Sequence, residues 1–548
     1  MAPAYVHLLI LVPVLLLLVG SCFLPATRRR WTLLFELLVL MTVVIGRWPV
    51  LVAGRLGNPD ESQIIAGAAT LWHRPEFWKW VDGTTIGPLS FYSLWLGKLV
   101  GLDFGYLSAR LVAAAFFAGT LIALFRFLTN HFPESAARIS VLPFATFGGL
   151  VLFWDMVQYG NESAALFLLS VGLALAFPAK DERGRLFLRL AGAGVALGAV
   201  PFAKLHVAPM ALFVGVTAVI PVILRSDKPG RWGRVFALIA GAFTVPTVAA
   251  VYLTIYNLWR HFFISYLENN LAYAQSVDFS TLELVREFLP FLANSQGMLH
   301  LFLGTLVLVA TCLWLIPAFP GESRRWTLWS LGWLAVTLVA IVLPGRAFDH
   351  YQLLLIPPLL ILCGSCLSGM ISLEKPPASR AVMIAVFLLA TTIPLAAVRL
   401  STHRSSWAAL HAGDDELRPV VEEIRKLSRP GETMAIWGWH PDLWVGTGLI
   451  QGTRDGNTVR QLYPGRHQDY YRGRYLFDIN RNMPPLFLDT AGPGRFAFET
   501  RAGSGHETWP ALGAFVAEHY VLRSDIAGIR IYLRKDRASA LGSEGSDR

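Results

Sequence analysis

The sequence predicts a polytopic α-helical membrane protein of about twelve transmembrane helices, followed by a C-terminal extracytoplasmic α/β domain. Three observations predict it. The 548 residues are 54% hydrophobic and only 15% charged, with mean hydropathy +0.49, whereas a soluble surface needs more charge. The apolar residues come in runs of about 16–24, the length that crosses about 30 Å of hydrocarbon. The last part of the chain, after about residue 399, turns polar. The net charge of +10 is then the cytoplasmic Lys/Arg excess typical of membrane proteins, and nucleic acid is not implied as a partner.

The expected spans, in order, are about 5–25, 32–53, 107–129, 139–154, 163–178, 186–203, 205–224, 234–257, 298–317, 327–343, 351–372 and 381–398. The stretch "GPLSFYSLWLGKLVG" (87–101) is too short and interrupted to span, and reads as an interfacial helix with Tyr92 and Trp95 at headgroup level. With "RRR" (28–30) inside, the inside loops become "NHFPESAAR", "KDERGR", "RSDKPGRWGR", "GESRRW" and "EKPPASR". These hold nearly all the dense basic clusters, and the agreement fails if 87–101 crosses. The outer side then carries a first loop (54–106), "WDMVQYGNES", a turn at Lys204, a loop at about 258–297, "PGRAFDHY", and the tail. The domains are therefore 1–398 (transmembrane), 399–535 (outer α/β) and 536–548 (a disordered tail). Within the outer domain "DDELRPVVEEIRKL" has the period of an amphipathic helix and "ETMAIWGW" that of a strand.

Cys22, Cys312, Cys363 and Cys366 all fall in apolar runs, so no extramembrane disulfide framework is available. The Cys363-Gly-Ser-Cys366 pair reads as small-residue packing in a span rather than a redox site. "LLVGSC" lacks the basic start of a lipoprotein signal and reads as an anchor helix.

Charge at membrane depth is costly, so ionisable groups at span ends are functional candidates. On the outer face these are Asp60 and Glu61; His73, Arg74 and Lys79; Asp155, Gln158, Asn161 and Glu162; Lys204 and His206; Arg260 and His261; and Arg346, Asp349 and His350. Lys204 and Arg260 are equally read as cations snorkelling to headgroups. As a set, the residues suit one reaction. A carboxylate at the membrane surface takes a proton from an attacking hydroxyl. Cations beside it stabilise a departing phosphate, which a lipid-phosphate sugar places at headgroup height.

"NPDESQIIAGAATLW" resembles the acidic first-loop signature of the GT-C glycosyltransferases, whose polyprenyl-phosphate-using members include the protein O-mannosyltransferases and the lipid A aminoarabinose transferases. Further matches follow in order. "GPLSFYSLWLGKLVGLDFGYLSARLV" is similar to the family's juxtamembrane helix and the span after it, which here begins near Arg110. "GAGVALGAVPFAKLHVAP" resembles its Gly-rich span ending at a Lys, "LPGRAFDHYQLLLIPPLL" its late "HY…PP" loop, and "IWGWHPDLWVGTG" the outer domain of bacterial members. The chain departs from the family at "SQII", where an aromatic is common, and in a further apolar segment before the usual first span.

The resemblance implies an inverting transfer of a sugar from a polyprenyl-phosphate donor on the outer face of the cytoplasmic (inner) membrane. Asp60 would be the general base, with Glu61 beside it. Lys204, Arg346 and His350 would face the donor phosphate, joined by His206 and Arg260. His73, Asp155, Gln158, Asn161 and Glu162 are the candidates for holding acceptor or sugar. The acceptor is a protein, lipid A or another envelope glycan. Some relatives bind a divalent metal near the first-loop acids, so Asp60 and Glu61 are its candidate ligands. No dense His/Cys cluster occurs, and no metal is assigned. Two other functions remain open: a transporter of lipid-linked glycans, which would place charges mid-span and show repeats, and an envelope scaffold, which would leave the outer charges without a role.

Two smaller readings complete the sequence. Trp437, Trp439, His440 and Trp444 are either a sugar-stacking surface or, preferred, the small domain's own core. "GTRDGN" (452–457) lacks the strand–GxGxxG–helix context of a nucleotide fold. The acid pair itself opens a helix, with Asn58 at the N-cap, Pro59 at N1, Asp60 at N2 and Glu61 at N3. Glu61 then helps to build the turn, and Asp60 is left to take the proton.

Overall fold

The computed structural model describes residues 2–25, 29–53, 58–152, 154–178, 186–224, 231–275, 280–286, 288–294, 297–342, 344–346, 348–373, 381–397 and 417–539. The chain forms two compact units, one made of Met1–Ala53, Arg110–Tyr256 and Asn270–His411, the other of Gly54–Ala109, Asn257–Asn269 and Ala412–Arg548.

The first unit is helical. Among the described residues of the chain, six helices are long and apolar enough to cross a bilayer: Tyr106–His131, Asp155–Ala176, Leu186–Ala203, Arg231–Ile255, Gly321–Val342 and Asp349–Ser372. Four shorter apolar helices are Val6–Ser21, Leu205–Ile220, Met298–Leu313 and Ala381–Ala397. The helices Arg29–Gly46 and Glu134–Leu150 coincide with the two remaining expected segments. Each expected segment thus meets a helix, while six satisfy the full spanning length. The inside loops "KDERGR" and "EKPPASR" lie outside the described residues.

Lipid offers no hydrophobic drive for helices to associate, so small residues that let backbones approach take over that role. The helix Leu186–Ala203 shows this against Arg231–Ile255. A Cβ on Gly194 would collide with the Leu238 carbonyl oxygen, one on Gly198 with that of Ala242, and one on Gly241 with that of Ala191. Gly194 and Gly198 of "GAGVALG" therefore dock the helix that ends just before Lys204. The same device joins Gly46 to Gly149 on the helices Arg29–Gly46 and Glu134–Leu150. Cys312, Cys363 and Cys366 are buried thiols, and Cys363 Sγ lies 3.3 Å from Thr305 Oγ1, as small interior residues would.

The second unit is built on a five-stranded sheet: β1 (Thr433–Trp437), β2 (Ile450–Gln451), β3 (Leu486–Asp489), β4 (Tyr520–Ile526) and β5 (Ile529–Arg534), in the order β2-β1-β3-β5-β4. β1 pairs parallel with β2 and β3, and β5 pairs antiparallel with β3 and β4. Alternation sorts each strand into two cores. Met434, Ile436, Leu486, Leu488, Ile531 and Leu533 face one side, where Val420 and Ile424 of the helix Arg418–Leu427 cover them. Ala435, Trp437, Phe487 and Tyr532 face the other, under Tyr475 and Ile479 of the helix Gln468–Asn482. The expected helix and strand therefore form where their periods placed them.

Three sequence expectations change in this unit. The first outer loop, expected with the transmembrane domain, belongs to the same compact unit as the sheet, and Ala66 of that loop lies in its core. Residues 536–539, expected to begin a disordered tail, continue a short helix from 535, where Arg537 pairs with Glu432 at 3.1 Å; residues 540–548, like the boundary expected at 399, lie outside the described residues. The stretch 87–101 is two short helices, Pro88–Tyr92 and Trp95–Leu99, neither long enough to cross a membrane.

Candidate active site

The first-loop acids sit at the start of the helix Pro59–His73. Asn58 is its N-cap, with extended backbone, and its Oδ1 accepts from the Asp60 N–H at 3.0 Å. Pro59 at N1 needs no donor there. This cap is the one "NPDE" predicts, and it contributes about 1 kcal/mol to helix stability. Asp60 is half-buried, while Glu61 is fully buried. The helix N-terminus favours both carboxylates. At the other end of the helix His73 is exposed, so it is not held in any enclosed site.

In the helical unit, charge gathers at one end of three helices. The helix Asn161–Ala176 begins at this end and brings Glu162 in its first turn. The helix Leu186–Ala203 finishes there and delivers Lys204. The segment Asp349–Leu355 starts there with His350 and Tyr351. Antiparallel neighbours must place the N-terminus of one beside the C-terminus of the next, so a short charge pair closes the group. Lys204 Nζ lies 3.2 Å from Glu162 Oε1, and His350 Nε2 lies 3.7 Å from the same oxygen. Glu162 is 1% exposed and Lys204 5%.

The compensation is electrostatic: among the described residues neither Glu162 oxygen has a hydrogen bond of good geometry. Tyr351 places its ring 5.4 Å from the Lys204 ammonium and 4.6 Å from the His206 ring, a cation–π contact that suits a desolvated cation. His206 Nε2 is buried without a hydrogen-bond partner among the described residues. A cluster of three nitrogen-bearing groups facing one carboxylate, with a nitrogen left over, is able to take an anionic oxygen.

The remaining candidates are distributed more widely. Gln158 donates to Asp155 Oδ1 at 3.2 Å, just before Glu162, and both Gln158 and Asn161 are 7% exposed. Arg346 is half-buried in the loop before Asp349, and Phe348 stacks on His350 with 5.5 Å between ring centroids. Arg260 belongs to the other unit, where its guanidinium lies 5.4 Å from the Tyr470 ring centroid.

A second charged group was not singled out from the sequence. In the sheet-containing unit, Arg454 clasps Asp478 with two bonds (Nε to Oδ2 2.7 Å, Nη2 to Oδ1 2.8 Å). Arg474 donates to Asp82 (2.5 Å), to Ser265 Oγ (2.7 Å) and to Asp455. All five acids and bases of these clasps are buried. Burial pushes the Asp82 carboxyl up, but Arg474, Ser265 and the Thr84 N–H outweigh it and hold it below the usual carboxylate range. For Asp455 burial prevails over Arg474 and the carboxyl is raised. These residues lie outside the apolar runs, where charge carries no cost of membrane depth, so no sequence signal marked them.

Trp437 and Trp444 are core residues, with indole N–H groups donating to Ser504 O (2.7 Å) and Met434 O (2.9 Å), as preferred. Among the described residues one group offers three metal-type ligands, Asp489, His506 and Glu507. Its carboxylates are already near Arg501 (3.3 Å) and Arg530 (2.9 Å), the pattern of an ion-pair network. Asp60 and Glu61 are not part of that group.

No family model matches the chain, and no curated protein matches it. Among solved structures it is similar to ArnT from Cupriavidus metallidurans bound to undecaprenyl phosphate, at 15% identity and TM-score 0.58, over 93% of this chain and 98% of that one. The apo state of the same protein matches at 13% identity and TM-score 0.58, over 92% and 97%. A weaker likeness, 11% identity and TM-score 0.45 over 85% and 70%, is to the oligosaccharyltransferase AglB from Archaeoglobus fulgidus.

Proposed function

From the GT-C fold that this chain shares with ArnT, we propose that it is a membrane glycosyltransferase. It moves a sugar from a polyprenyl-phosphate donor to an acceptor hydroxyl on the outer face of the cytoplasmic membrane. The observation that carries this reading is the buried Lys204–Glu162–His350 cluster with His206 beside it. Ionisable groups buried in an apolar helical unit are functional candidates by default, and a group of nitrogen-bearing side chains there suits an anion. A polyprenyl phosphate is an anion whose tail stays in lipid, and the ArnT structure holds undecaprenyl phosphate.

In the transfer, the acceptor oxygen bonds to the anomeric carbon while the bond from that carbon to the donor phosphate oxygen breaks. The hydroxyl proton passes to the Asp60 carboxylate. The polyprenyl phosphate leaves with one more negative charge, which Lys204, His206 and His350 stabilise, with Arg346 close by in the chain. Glu162 keeps the Lys204 ammonium charged and balanced before the donor arrives. Asp60 suits the base role because its helix is capped by Asn58 and its side chain retains solvent access.

Mass spectrometry of envelope glycans and glycoproteins tests the proposal, comparing cells with the wild type, Asp60→Asn, or neither. A sugar present only with the wild type supports it. The same sugar in the Asp60→Asn strain removes Asp60 as base, and no difference between any strains removes the transferase.

A further inference from the structure

The segment "GTRDGN" (452–457) has no nucleotide-fold context, yet it makes a dense set of contacts with the first outer loop. All of them lie within one unit. Asn457 Nδ2 donates to Gln63 Oε1 at 2.9 Å. Gly456 presses so closely on Gln63 that a Cβ there would lie 2.5 Å from Gln63 Cγ. The Asp82 N–H donates to the Arg454 carbonyl at 2.8 Å, and Asp82 and Asp455 form a parallel bridge. Arg454 Nη1 donates to the Trp78 carbonyl at 2.9 Å. Trp78 is held at φ 62, a left-handed backbone that a bulky residue does not adopt unaided. Just before the segment, the Gln451 N–H donates to Thr70 Oγ1 at 3.0 Å.

Three of these contacts land on the helix that carries Asp60, at Gln63 and Thr70, and the others tie the segment to the turn after it, at Trp78 and Asp82. Gln63 is three residues on from Asp60, so the two share a helix face within one turn. Gln63 is 2% exposed and Asp60 half-buried. A helix free to rock by one ångström at its first turn would carry the Asp60 carboxylate the same distance. A misplacement of that size costs about 100-fold in rate.

We infer that the 452–457 segment is a positioning clamp for the proposed base: Asn457 and Gly456, through Gln63, set where Asp60 stands, and the Arg454 and Arg474 clasps fasten the segment to the rest of the first loop. This rests on Asp60 being the general base. It assigns the outer domain a part in the transfer itself, and makes Asn457, Gln63, Arg454 and Arg474 positioning residues rather than catalytic ones.

The test uses the full-length protein in proteoliposomes with Asn457→Ala, a change small enough to leave the fold intact, Gln63→Ala, and the double variant. Two readings are taken together: amide hydrogen exchange of residues 59–66, and steady-state transfer from a polyprenyl-phosphate sugar. The expected result is faster exchange at 59–66 in Asn457→Ala, with unchanged exchange in the sheet. Its kcat falls about 10- to 100-fold at unchanged donor KM, and the double variant is no worse than either single one. Unchanged exchange, or faster exchange with unchanged kcat, overturns the clamp while leaving the transferase reading intact. A wild type that transfers nothing overturns both. Arg474→Lys, which keeps the charge but loses the planar bidentate geometry, should lie between wild type and Arg474→Ala in kcat.

Discussion

Lys204 and Glu162 stand 3.2 Å apart inside the helical unit, both nearly inaccessible to solvent. Removing one partner from a buried pair leaves the other charge uncompensated, at a cost of about 3–5 kcal/mol. Glu162→Gln and Lys204→Met should each lower the unfolding midpoint in detergent, and the double variant should recover part of the loss. Strictly additive losses would mean that the pair is not coupled in solution.

Asp60→Asn keeps the backbone N–H that bonds to Asn58 Oδ1, so the helix cap survives. Transfer should fall about 10²- to 10⁴-fold, the range for loss of a general base, with the thermal midpoint within a few degrees of wild type. Measured kcat near the wild-type value would assign the base elsewhere.

The His261 imidazole links pH to the stability of the clamp. Its Nε2 lies 3.4 Å from Arg454 Nη1 and its Nδ1 lies 2.5 Å from the Tyr470 hydroxyl. Burial, then Arg454 and Arg474, lower its pKa to about 4 from 6.5. The unfolded chain therefore takes up a proton between those values that the folded chain refuses. The stability is complete above pH about 6.5 and is lost as pH falls toward 4. Asp82, whose pKa is held below 3.8, adds a similar loss only at still lower pH. In melting curves from pH 7 to 4.5, His261→Asn should show a shallower decline than wild type; parallel declines would remove His261 as the cause.

Close approach of the helices Leu186–Ala203 and Arg231–Ile255 is a packing requirement that a single methyl tests. The atom facing Gly198 is the backbone oxygen of Ala242, which cannot rotate away. Gly198→Ala should destabilise by about 1–3 kcal/mol through overpacking. Gly233, where an added Cβ meets nothing within 4 Å, is the control, and Gly233→Ala should be neutral. Equal midpoints for the two variants would show that the helix pair yields.

Features that depend on near neighbours in the chain were legible in advance. The helix beginning at Pro59, the apolar helical segments, the helix Arg418–Leu427 and β1 each follow from local spacing of apolar residues and from cap chemistry. The grouping of Lys204 with His350 and His206 was also within reach, because span order forces alternate helix ends together. Glu162 was expected near acceptor or sugar, and its pairing with Lys204 was not foreseen.

What tertiary structure alone decided are the pairings between distant residues. Asn457 reaches Gln63 across 394 positions, Arg474 joins Asp82 and Asp455, and Arg260 stands over Tyr470. Residue type says that a buried charge must find a partner, because leaving water is costly. It does not say which partner, since that depends on the path of the whole chain. The sequence by itself therefore determined a membrane-spanning helical protein with an acid at a capped helix start. The three-dimensional fold decided which charges answer one another, and that "GTRDGN", blank as a motif, grips the helix bearing Asp60.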